Sequence, residues 1–179
     1  MTIVSRRPLL RRAGLAAVAL AAAFAVSSPT LAASASAAKT KGCADTSEAA
    51  ALHVRSLQTW LVVASLSCGT VDDYNAFVIK YRPTLQRHGE SLIRYFGRAY
   101  GKGGTDKLNR YVTLLANEAS RLSLDDRDAF CARAASIYGE MRGDTVSANQ
   151  LDSYSAEKVG LLAVEPKSCM PDGLLASAR

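Results

Sequence analysis

Histidine and tryptophan are scarce in this 179-residue chain, which has two of the first and one of the second. Neither histidine stands in an H-E-x-x-H motif, and no G-x-S-x-G elbow is present, so two common routes to hydrolysis have no signature here. C-x-x-C pairs are also missing. The four cysteines, Cys43, Cys68, Cys131 and Cys169, stand far apart, which argues against a zinc site and against c-type haem attachment. Gly101-Lys102-Gly103-Gly104-Thr105 lacks the phosphate-loop spacing and has no preceding strand; it reads as a flexible inter-helix loop. No stretch alternates apolar and polar residues long enough to argue a sheet. The apolar run Ala13 to Val26 has only 14 residues, short of the roughly 20 that span a bilayer core.

That run follows a basic stretch, Ser5-Arg6-Arg7-Pro8-Leu9-Leu10-Arg11-Arg12, and precedes small-x-small sites at Ala33-Ser34-Ala35 and Ala35-Ser36-Ala37. The expectation is a cleaved signal peptide over residues 1–37. Ser5 to Arg11 resembles the twin-arginine signal, with leucine for phenylalanine and arginine for lysine. General secretion is favoured over that route, because two disulfides suit a chain that folds after export. Removing the signal takes four arginines with it and leaves a net charge of about +2 in place of +6. The overall basicity therefore gives no reason to expect nucleic acid as a partner. Periplasmic or secreted localisation is expected, with no transmembrane segment in the mature chain.

Behind the signal the chain reads as successive amphipathic helices. Asp45-Thr46-Ser47-Glu48 has capping-box spacing, and Ala50, Val54, Leu57, Leu61, Ala64 and Cys68 then form one apolar face up to Gly69. Thr70 opens a second helix with Tyr74, Phe77, Val78 and Tyr81, which Pro83 ends or kinks. Leu85, His88, Leu92, Phe96 and Ala99 mark a third, and Leu108, Tyr111, Leu115, Ala119 and Leu122 a fourth. Ser123-Leu124-Asp125-Asp126 caps a fifth, with Phe130, Ala134, Ile137, Tyr138 and Met141 on its face. The predicted fold is an all-α, single-domain bundle of about five helices over residues 38–143. Residues 144–179 form a C-terminal extension, polar at first and ending in a Pro166–Pro171 loop.

An even number of spaced cysteines in an exported chain predicts two disulfides. Cys68 and Cys131 fall on apolar stripes, while Cys43 and Cys169 lie near the two ends. Of three pairings, Cys68–Cys131 with Cys43–Cys169 is the simplest, and the second bond ties the extension back.

Candidate chemistry is thin. His53 and His88 read as packed or solvated residues on helix faces, and Asp72-Asp73 and Asp125-Asp126 as charges complementing helix starts. A haem between His53 or His88 and Met141 or Met170 is not expected, nor is any metal or other cofactor. Charge distribution does stand out. Residues 80–110 carry Lys80, Arg82, Arg87, Arg94, Arg98, Lys102, Lys107 and Arg110 against Glu90 and Asp106. Arg87, Arg94, Arg98, Lys102 and Arg110 are the candidates for binding an anion, with tyrosines interleaved. The plainer account is a solvated face, or one matched by the acidic C-terminal half.

The motifs Leu66-Ser67-Cys68-Gly69, Tyr74-Asn75-Ala76-Phe77, Ala116-Asn117-Glu118-Ala119-Ser120 and Phe130-Cys131 resemble those of small secreted helical proteins of Gram-negative bacteria with no assigned activity. The resemblance covers roughly residues 50–142. It implies an exported helical fold and carries over no functional residue. The expected function is non-enzymatic: a binding or structural role in the cell envelope, through an anionic envelope component or a protein partner. The alternative is a small periplasmic hydrolase with a site near His88, Arg94 and neighbouring tyrosines.

Overall fold

The computed structural model describes residues 42–160, 162 and 169. The expected signal segment lies outside them, as does the Pro166–Pro171 loop apart from Cys169. Four long helices and a short one follow in order: α1 Thr46–Cys68, α2 Val71–Tyr100, α3 Gly104–Asp125, α4 Arg127–Arg142 and α5 Leu151–Lys158. The described residues contain no strand, and the fold is an all-α bundle with two disulfides.

α1 starts at a capping box. Asp45 Oδ1 accepts from the Glu48 N–H at 3.0 Å, and Glu48 Oε2 accepts from the Asp45 N–H at 2.9 Å. It stops at Gly69, whose φ of 73° is the left-handed conformation that a residue without Cβ adopts freely. Its burial goes beyond the single apolar face expected. Ala51, Leu52, Ser56, Leu57, Trp60 and Leu61 are all buried, on every side of the helix. A helix apolar all round belongs in the centre, and α1 touches each of the other four. Its polar residues are small and satisfied: Ser65 Oγ donates to the Val62 carbonyl at 2.8 Å, and Ser56 Oγ accepts from the Leu162 N–H at 3.2 Å.

Pro83 does not divide the chain. The second and third expected helices are one, α2, whose proline ring lies on the exposed side. Phe77, Tyr81, Leu85 and Leu92, on both sides of Pro83, bury along a common face. Each contributes about 1.5–3 kcal/mol, which outweighs the roughly 3 kcal/mol that an interior proline costs.

Two further boundaries differ from expectation. Ser123 is buried in the last turn of α3, and its hydroxyl donates to the Ser120 carbonyl. Asp126 is the hinge instead, ending α3 and capping α4 through the Ala129 N–H at 3.0 Å. Thr70 precedes α2 without a side-chain cap bond. Gly101–Gly103 is a turn of 3₁₀ helix, not a slack loop, because Gly104 packs directly on the backbone of Phe96 and Gly97.

Two apolar clusters surround α1. The larger gathers Trp60, Leu61, Phe77, Tyr81, Phe130 and Tyr138 with Leu151 and Tyr154 of α5. The smaller joins Leu52 to Leu92, Tyr95, Phe96, Tyr111 and Leu115. Tyrosine suits these sites because its ring fills space while its hydroxyl finds a carbonyl. Tyr81 donates to Val146 O at 2.6 Å and Tyr138 to Leu61 O at 2.8 Å. Cys68–Cys131 joins the end of α1 to α4, and Cys43–Cys169 joins the segment before α1 to the tail, where the Cys169 N–H also bonds Ala44 O at 2.9 Å.

Candidate anion-binding surface

The cation-rich residues 80–110 fall on α2, the glycine corner and the start of α3. Two of the eight cations make tertiary ties. Arg98 Nη2 donates to Glu48 Oε2 at 2.5 Å and to Cys43 O at 3.0 Å, and its guanidinium lies 5.5 Å from the Tyr95 ring centre. The Glu48 side chain is 5% exposed, so the capping box of α1 is held by a charge from α2. That hydrogen bond raises the Arg98 pKa, and burial pushes the Tyr95 phenol up to about 12. Lys80 Nζ donates to Met141 O and to Asp144 Oδ1, each at 2.6 Å, which ties α2 to the end of α4. This contact raises the lysine pKa and lowers that of Asp144. The acidic C-terminal half thus matches the basic segment at one point.

The other six cations, Arg82, Arg87, Arg94, Lys102, Lys107 and Arg110, are exposed. Arg87 donates to Thr84 Oγ1 of its own helix at 3.2 Å, and Arg94 lies 3.8 Å from Glu90. Lys107 Nζ stands 5.8 Å from the centre of the Tyr100 ring. Of the five candidates, Arg87, Arg94, Lys102 and Arg110 therefore face outward, whereas Arg98 is a tertiary tie.

Sequence reading missed the apolar residues on the same face. Ile79 is 65% exposed, Ile93 63% and Tyr100 45%. They stand 14 and seven residues apart, so they form one line along the outside of α2. That heptad spacing, out of phase with the buried stripe, was the available signal.

His88 does not join this face. Its Nε2 lies 2.8 Å from Asp152 Oδ1 of α5, with the imidazole 14% exposed. Arg94 is six positions on, about 120° round the helix, and exposed, so the structure does not bring it together with His88. His53 is half-buried in α1 and Met141 sits in the core. Met170 lies outside the described residues. The acid pairs have structural partners: Asp73 with Arg142 at 2.7 Å, Asp125 with Arg121 at 2.5 Å, and Asp126 at the α4 cap. Arg55 of α1 was overlooked; burial lowers its pKa, and its guanidinium passes Gly89.

A groove of about 240 Å³ lies between the end of α3 and the start of α4, lined by Trp60, Leu122, Phe130, Asp125 and Arg133. Its arginine stacks on Trp60 and donates to the Lys158 carbonyl. Among the described residues, no group of three His, Cys, Asp or Glu side chains is placed to hold a metal ion, and no helix is long and apolar enough to cross a membrane. Comparison with known families, curated proteins and solved structures finds no match to this chain.

Proposed function

We propose that this protein is an exported, disulfide-stapled helical bundle that binds an anionic component of the cell envelope through the outer face of α2 and the start of α3. The observation that carries this reading is the set of six exposed cations between Arg82 and Arg110, opposed on that stretch by Glu90 and Asp106 alone. A periplasmic or secreted location is supported by two disulfides without a free cysteine among the described residues, which suit an oxidising compartment. Exposed charges attract a polyanion over roughly a Debye length, about 8 Å in physiological salt, so such binding weakens steeply as salt rises.

The test is retention of the purified protein on envelope fragments and on dextran sulfate across a salt gradient. Early elution of an Arg82→Gln, Arg87→Gln, Arg94→Gln variant supports the reading, and retention indifferent to salt overturns it. A second reading, a hydrolase-type site, draws on the His88–Asp152 pair at 2.8 Å. Ester or peptide hydrolysis abolished in His88→Ala, with unchanged thermal unfolding, would select it.

A further inference from the structure

We infer that the anionic partner is a lipid bilayer: α2 lies along a membrane surface that carries phospholipid headgroups of negative charge. This rests on the anion-binding reading and narrows it. A soluble polyanion satisfies arginines and lysines but offers nothing to Ile79, Ile93 and Tyr100. These large side chains are 65%, 63% and 45% exposed. Their line is about 32 Å long, at 1.5 Å per residue, and Pro83 and Gly97 lie on the same exposed side. Arg82, Arg87 and Arg94 flank the line, and the exposed Lys102 and Arg110 follow it in the glycine corner and in α3.

An apolar ridge edged by cations suits an interface where acyl chains begin just beneath phosphates. Tyrosine favours that depth, with its ring in the apolar layer and its hydroxyl in the wet one. A second copy of the chain fits poorly, because its own arginines would meet these. Three exposed acids oppose the partner: Asp72 lies one heptad before Ile79, Asp106 follows in α3, and Glu90 stands on the ridge itself between Gln86 and Ile93. Removing the Glu90 charge is therefore expected to strengthen binding, an effect that simple damage to the fold does not produce.

The experiment is co-sedimentation of the disulfide-bonded protein with vesicles of phosphatidylcholine, alone or mixed with phosphatidylglycerol. Binding is expected only to the mixed vesicles. Ile79→Ser with Ile93→Ser should weaken it by about a hundredfold, roughly tenfold for each side chain kept in water, with unchanged thermal unfolding because both are exposed. Replacing Arg82, Arg87 and Arg94 by glutamine should also weaken it by about a hundredfold, and Glu90→Gln should strengthen it about fivefold. Equal binding by the double isoleucine variant overturns the inference. So does absence of vesicle binding by a protein that dextran sulfate still retains salt-sensitively; the broader reading then stands with a soluble anion or an acidic protein as partner. Loss of salt-sensitive retention on vesicles and dextran sulfate alike overturns both.

Discussion

At Gly104 an added Cβ would lie 2.7 Å from the Phe96 carbonyl oxygen and 2.9 Å from the Gly97 Cα. Both neighbours are backbone and cannot turn aside. Gly104→Ala should therefore destabilise by about 1–3 kcal/mol, read as a lower denaturation midpoint. Gly139 is the control. It lies inside α4, is exposed, and has open space around its missing Cβ. Gly139→Ala should stabilise by about 0.5–1 kcal/mol. The sequence reads Gly104 as slack loop, and the carbonyl from another helix that makes it indispensable cannot be seen there. The same limit governs the charges. That residues 80–110 are basic is plain from composition, but the withdrawal of Arg98 and Lys80 depends on Glu48 and Asp144, which are 50 and 64 positions away. Helical periodicity cannot reach such distances.

α2 illustrates how packing overrides a local breaker. The exposed proline leaves the carbonyl one turn back without its usual donor, yet the helix continues for its full 30 residues. Pro83→Ala restores the donor and relieves the ring's clash. It should raise stability by about 2 kcal/mol after allowing for the freer unfolded chain, measured by chemical denaturation. α5 shows the reverse. Its eight residues bury only Leu151, Tyr154 and Ser155, too few to declare a period in the sequence. Side-chain ties place it: His88 to Asp152, and Glu140 to both Lys158 and Tyr154. The Lys158 hydrogen bond, with those of Tyr154 and Ser136, holds the Glu140 carboxyl below its ordinary 4.5. A carboxyl depressed by folding contributes stability that is present above about pH 4.5 and lost as pH falls through the folded value. The Tyr154 ring resonances should accordingly shift and broaden on acidification below that point, and Glu140→Gln should remove this dependence.

Across the whole molecule, burial of tyrosine sets the alkaline limit. Burial raises Tyr95 to about 12, and it raises Tyr138 and Tyr154 as well, so the fold favours the neutral phenols. Groups raised in this way stabilise fully below their unfolded value, near 10, and lose that contribution as pH climbs through the folded one. Phenolate absorbance should therefore lag behind that of free tyrosine above pH 10, then rise together with loss of helical circular dichroism. The helical class, the Asp45 cap and the cysteine pairs were legible because stripes, caps and end positions are local or simple. The central place of α1 was less so, since an all-round apolar helix and an amphipathic one differ by a few small residues. The Cys43–Cys169 bond, spanning 126 positions, makes the bundle a covalent ring with a second sulfur bridge inside it. Tension applied to the two chain ends is borne by that link and never reaches the helices. A single protease cut in the corner between Gly143 and Gln150 should likewise leave one covalent particle, which parts into two pieces on a denaturing gel only when a reductant is added.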